Sequence, residues 1–169
     1  MHSSLSGVPK GHALVVELLL ASSGIAVNQG RTTDGGTSLL TACENGHAPV
    51  VELLLAANGI AVNQARTNNG CTPLLQACQN GHAPVVELLL STSDIDINQA
   101  RKIIGCTPLF MACLQGHVEV VCLLLQQPNV DLNKKSINMK TRQSESPLDV
   151  AQKNNHTQIV QLLVDAGAQ

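Results

Sequence analysis

Six cysteines and six histidines in 169 residues are the side chains best able to do chemistry, and three pairings of them recur: Cys43 with His47, Cys78 with His82 and Cys113 with His117. On one continuous helix, a separation of four residues places thiol and imidazole on a shared face. That would suit a nucleophile beside its base, or two ligands of a zinc ion. Two features argue against such chemistry. A glycine (Gly46, Gly81 or Gly116) stands between the members of every pair, and glycine ends helices, so the pair need not share a face. The same dyad three times over, with no acid to orient the imidazole, is also not how an active site is assembled. The histidines are expected to stabilise turns and the cysteines to fill small buried positions.

Spacing supports that expectation. Cys43, Cys78 and Cys113 lie 35 residues apart, as do Cys71 and Cys106. Neighbouring helices pack about 8–10 Å apart, beyond the roughly 7 Å between Cα atoms that a disulfide tolerates. No Cys-x-x-Cys pair occurs. Reduced, structural thiols suit a reducing compartment. No catalytic residue, metal or cofactor is expected, and the chain is not expected to be an enzyme. The Asn155-His156-Thr157 sequon has meaning only in a secreted protein.

The elements that carry these residues form a periodic chain. Gly46-His47-Ala48-Pro49-Val50-Val51-Glu52-Leu53-Leu54-Leu55 returns unchanged at residues 81–90, with small changes at 11–20 and 116–125, and more weakly from Asn155 after a longer gap. A period of this length indicates a stacked array. Within residues 71–105, Thr72 is placed to cap a helix that has Pro73 in its first position, and Asn80-Gly81 is placed to end it. A second helix is expected from about Ala83, with Pro84 in its first turn. Val85, Val86, Leu89 and Leu90 form its apolar stripe. Residues 95–98 are expected to be extended and to lead to a turn-rich tip closing at Gly105. One such unit cannot bury its own apolar face, so its neighbours must.

Thr72-Pro73-Leu74, Ala77, Gly81-His82, Val85-Val86, Leu88-Leu89-Leu90 and Ile97-Asn98 resemble the ankyrin repeat pattern in order and spacing, over essentially the whole chain. The resemblance implies an all-α solenoid of helix–turn–helix units with β-hairpin tips, which binds other proteins without catalysis. On this reading residues 1–169 form one domain. Residues 1–35 are a degenerate or truncated first repeat, with Gly7 and Pro9 where its first helix should run. Residues 36–70, 71–105 and 106–144 are full repeats, the last with a longer hairpin, and 145–169 form a polar carboxyl-terminal cap. The chain is read as beginning within a repeat. It departs from the family where the histidine of the Thr-Pro-Leu-His motif is replaced by Leu40, Leu75, Phe110 and Asp149. Apolar packing by Leu and Phe should take over from that histidine's bonds between repeats.

Composition narrows the function. Net charge is −2, which argues against wrapping nucleic acid, and no apolar run reaches the roughly 18–20 residues of a membrane helix. Residues 1–10 lack the apolar centre of a secretory signal, so a cytoplasmic or nuclear location is expected. One Phe, no Tyr and no Trp leave Arg, amide and aliphatic side chains to make contacts. Eight of ten Lys and Arg fall in the tips: Arg31, Arg66, Arg101, Lys102, Lys134, Lys135, Lys140 and Arg142. Glu17, Glu52 and Glu87 fall on the second helices. Either the tips are simply solvated, with Arg bracing neighbouring tips, or a basic ridge steers the chain toward an acidic partner surface. The fourth tip is four residues longer and is either a disordered excursion or a binding finger.

The family's contact positions map here onto Thr33 and Asp34, Asn68 and Asn69, Ile103 and Ile104, and onto Glu44 and Asn45, Gln79 and Asn80, Leu114 and Gln115. Exposed apolar groups gathered together mark a contact site, and the fourth unit supplies them. The expected partner-binding set is Arg66, Asn68, Asn69, Gln79, Asn80, Arg101, Lys102, Ile103, Ile104, Met111, Leu114, Gln115, Lys134 and Lys135, with Phe110 assigned to the core. The expected function is a protein-interaction module whose concave and hairpin face grips an acidic or extended segment of another protein, with a monomeric state also expected. The alternative is a targeting or regulatory fragment of a larger enzyme or channel.

Overall fold

A computed structural model describes residues 10–22, 24–139 and 142–169, with side chains described from Ala13 onward. Gly7, Pro9 and Lys140, singled out above, lie outside the described residues. The helices are α1 (Lys10–Leu20), α2 (Ser38–Glu44), α3 (Ala48–Leu55), α4 (Pro73–Asn80), α5 (Ala83–Leu90), α6 (Pro108–Gln115), α7 (Val118–Leu125), α8 (Pro147–Lys153) and α9 (Thr157–Asp165). Between α7 and α8 lie two short strands, β1 (Ser136–Ile137) and β2 (Ser144–Glu145). First helices pack in sequence as one row, α2 on α4 on α6 on α8, and second helices as another, α1 on α3 on α5 on α7 on α9. Helices this short are marginal alone, and packing between the rows holds them.

Local chemistry starts and stops each first helix as the residue types require. The hydroxyls of Thr37, Thr72 and Thr107 accept from the backbone N–H of Leu40, Leu75 and Phe110 at 3.1–3.2 Å. Leu40 and Leu75 are fully buried and Phe110 nearly so, which makes these positions apolar packing sites. At the fourth such position Asp149 closes a reciprocal capping box with Ser146. Gly81 ends α4 at φ 73°, a left-handed conformation that costs glycine little. A Cβ there would also lie 2.6 Å from Nδ1 of His117.

Two ladders tie the units together. In the first, Nε2 of His82 and of His117 donates to the carbonyl of Glu44 and of Gln79, 3.1 Å away in the preceding unit, and His156 reaches Leu114 at 3.4 Å. These histidines thus act on the helix end of the preceding unit, and α3, α5, α7 and α9 have no side-chain cap from them. The left-handed glycine leaves a gap beside each helix end, and the next unit's imidazole fills it. In the second ladder, Asn28, Asn63 and Asn98 each span to the following unit. Each amide donates to a carbonyl (Gly59, Asp94, Asn129) and accepts from a backbone N–H (Ala61, Asp96, Asp131), at 2.6–2.9 Å. The expectation that residues 95–98 are extended is corrected: Ile95 and Asp96 have no regular structure and Ile97-Asn98 forms a turn, from which the Asn98 amide reaches the next unit.

The fourth tip keeps the lattice turn and lifts it outward. In the first three tips the N–H of Arg31, Arg66 and Arg101 bonds to the carbonyl of Gly36, Cys71 and Cys106. In the fourth, Asn138 N–H takes that role toward Gln143, above the antiparallel pairs Ser136 with Glu145 and Ile137 with Ser144. The additional residues thus become two rungs of hairpin.

The two ends differ. On α1, Val15 is 55% and Leu19 51% exposed, whereas their equivalents Val85 and Leu89 on α5 are fully buried. On α9 the outer positions carry the exposed side chains Gln158, Gln161 and Asp165 over buried Ile159 and Leu163.

Candidate partner-binding face

First helices and tips together present one continuous face, and the side chains on it change in order from unit to unit. At the position before the helix end the residues are Glu44, Gln79, Leu114 and Lys153; on the tips they are Asp34, Asn69 and Ile104. The face therefore runs from carboxylate through amide to aliphatic, on a backbone that hardly varies. Tips are joined edge to edge, with the N–H of Thr67, Lys102 and Ile137 donating to the carbonyls of Asp34, Asn69 and Ile104 at 2.8–3.2 Å.

The carboxylate end is internally neutralised. Arg31 binds Asp34 through two nitrogens at 3.1 and 2.8 Å. Arg66 bridges two units, with Nη2 2.6 Å from Oε2 of Glu44 in its own unit and Nε 3.4 Å from Oδ2 of Asp34 in the preceding one. The Asp34 carboxyl is held below the usual range chiefly by the Gly36 backbone N–H and, against some desolvation, by Arg31. Arg66 has only 14% of its side chain exposed, so its assignment to a partner surface is corrected: its charge is spent inside the stack.

The remaining residues of the expected set sort by exposure. Met111 is buried at 6%, because it points into the row of first helices, and it too leaves the set. Asn69 is half-buried and its Oδ1 accepts from Cys71 N–H at 2.9 Å. Gln79 is half-buried, and exposed Asn80 donates to the Glu44 carbonyl at 2.7 Å. Asn68, Lys102, Gln115, Lys134 and Lys135 are exposed, while Arg101, Ile104 and Leu114 are half-buried. Ile103 is 66% exposed, and on the fourth tip Ile137 and Met139 are 49% and 61% exposed. Sequence reasoning did not pair Arg66 with Asp34 and Glu44; the signal was an acid on the preceding tip and another on the first helix of the same unit.

Five of the thiols are raised by burial. Burial pushes Cys43 and Cys113 up to about 12 and Cys78 well above its ordinary value, and Cys106 to about 11 despite the opposing charge of Arg101. All six cysteines are free, five of them buried. Among the described residues no three His, Cys, Asp or Glu side chains gather as a metal site, and no helix is long and apolar enough to cross a membrane. A recess beside α1, lined by Val16, Leu19, Leu20, Ile25, Val27 and Leu54 among others, carries no titratable side chain.

A family model described as ankyrin repeats (3 copies) matches residues 6–101 and again 98–169. No curated protein matches the chain.

Proposed function

Because the chain belongs to the ankyrin repeat family, whose repeats are generally protein–protein interaction modules, we propose that it is a binding scaffold that grips another protein on its tip and first-helix face. The grip is centred on the junction of the α4–α5 and α6–α7 pairs. The observation that carries this reading is the aliphatic group Ile103, Ile104 and Leu114, bordered by the cations Arg101 and Lys102. Apolar side chains that are exposed, as Ile103 is, or half-buried, as Ile104 and Leu114 are, lose little entropy on binding when the backbone already holds them, and neighbouring cations favour acidic partners. The scaffold acts by shape and charge, with no catalysis of its own and no nucleic acid partner. The proposal includes a monomeric state and a cytoplasmic or nuclear location.

Affinity capture with the purified chain tests it, with the Ile103→Ser/Leu114→Ser double variant as control. The partner should be lost while the thermal midpoint stays within about 3 °C, as expected for changes at partly exposed sites. Equal capture by both proteins would refute the assignment. A second reading, a targeting or regulatory portion of a longer polypeptide, draws on the open apolar face of α1 at Val15 and Leu19. In the full-length protein those side chains would be shielded from solvent, which hydroxyl-radical footprinting would show.

A further inference from the structure

The tip arginines repeat with the lattice, but their surroundings do not. Arg66 finds Asp34 in the preceding unit and Glu44 on the first helix of its own. Arg101 is the same residue one unit on, and the positions corresponding to Asp34 and Glu44 are then Asn69 and Gln79. Both carboxylates have become amides and the guanidinium has stayed. Arg101 is half-buried, and among the described residues its side chain makes no ion pair and no hydrogen bond. None of its nitrogens is fully buried, since among the described residues Arg66 Nε is the one buried side-chain nitrogen or oxygen left without a hydrogen-bond partner. Lys102 follows it, with its stem lying over Gly70, and it too has no acidic partner among the described residues. Next to these cations stand Ile103, Ile104 and Leu114.

We infer that Arg101 is a vacant half of the ion pair that Arg66 completes internally, and that it receives an Asp or Glu side chain of the partner's extended segment, with an aliphatic or aromatic residue of that segment set on Ile103 and Leu114. This inference rests on the binding-scaffold reading and gives it a chemistry. A planar guanidinium takes a carboxylate through two parallel N–H bonds, so the site selects an acid over its amide. The internal comparison also explains why a cation is kept where its lattice partners are neutral. The carboxylate is supplied from outside.

The test uses a peptide library displayed by its carboxyl-terminal end and selected on the whole chain. Selected sequences are then synthesised with amidated carboxyl termini, so that side chains supply the only carboxylates. Enriched peptides should share an Asp or Glu beside an apolar residue. Arg101→Gln should weaken them about tenfold or more, as should changing the shared acid to its amide. Asn69→Asp/Gln79→Glu should do the same by a different route, because it rebuilds the Arg66 arrangement and neutralises Arg101 from within. That variant keeps the fold: Asp at 69 can accept from Cys71 N–H as Asp34 accepts from Gly36 N–H. Glu52→Gln, on a second helix, should leave affinity unchanged. Selected peptides that lack an acid, or that bind the Asn69→Asp/Gln79→Glu protein equally well, would overturn this inference and leave the scaffold reading standing. A library yielding no binder would overturn both.

Discussion

Arg66 and Arg101 hold equivalent positions, and the contrast between them predicts opposite sensitivities. Replacing Arg66 with Gln strands Glu44 and removes a charged hydrogen bond from a side chain that is only 14% exposed. Urea unfolding should show a loss of about 1.5–3 kcal/mol. The same change at Arg101 breaks no internal bond and should stay within about 0.5 kcal/mol. The thiols make a second residue-scale case. Burial pushes Cys43 and Cys113 up to about 12 in the folded chain, against an ordinary value of 9.0. A raised folded value means that their contribution to stability is complete below pH 9 and is lost as pH climbs toward 12. Unfolding followed across that window should show the decline, and at pH 8 a thiol reagent should modify the denatured chain far faster than the native one.

At the scale of the element, short helices are defined by what begins and ends them and by what ties them to the next pair. Gly81→Ala adds a Cβ both to a left-handed backbone and to the space of the His117 ring. The conformational part alone costs about 1–2 kcal/mol, and a lowered thermal midpoint would show it. Asn98→Ala removes two bonds that reach the next unit and should cost about 1–2 kcal/mol. The helices were legible from Thr72, Pro73 and Gly81 because caps and breakers act within a few residues. The roles of His82 and Asn98 were not, because their partners lie 38 and 31 residues away in sequence. Only stacking brings those groups together, and it also turned Ile97-Asn98 away from the extended form. The longer fourth tip was ambiguous for a similar reason: its two rungs depend on pairing across the hairpin and on Ile104 of the previous tip, not on any signal within the inserted residues.

For the molecule as a whole, a row of units coupled only to neighbours unravels from its weaker end. Amide exchange should be fastest in α1, whose Val15 and Leu19 face solvent, and slowest in α4 to α6. Acid should loosen the array as well. Asp34, Glu145 and Asp149 are all held below their ordinary values, by the Gly36 N–H, by Lys153 and by the Ser146 N–H respectively. Depressed folded values mean that their stabilisation is present above the unfolded pKa, about 4, and is lost as pH falls through the folded values. The stacked architecture was readable from the period alone. The chemistry of its face was readable only in part, since exposure removed Met111 and internal pairing removed Arg66 while Ile103, Ile104, Leu114 and Arg101 stayed on the surface. The most direct measurement is amide exchange across the whole chain with and without a bound acidic peptide. Protection should concentrate at residues 101–104 and 114–115 and leave the outer faces of α5 and α7 unchanged. Protection on those outer faces, with none at the tips, would contradict the account.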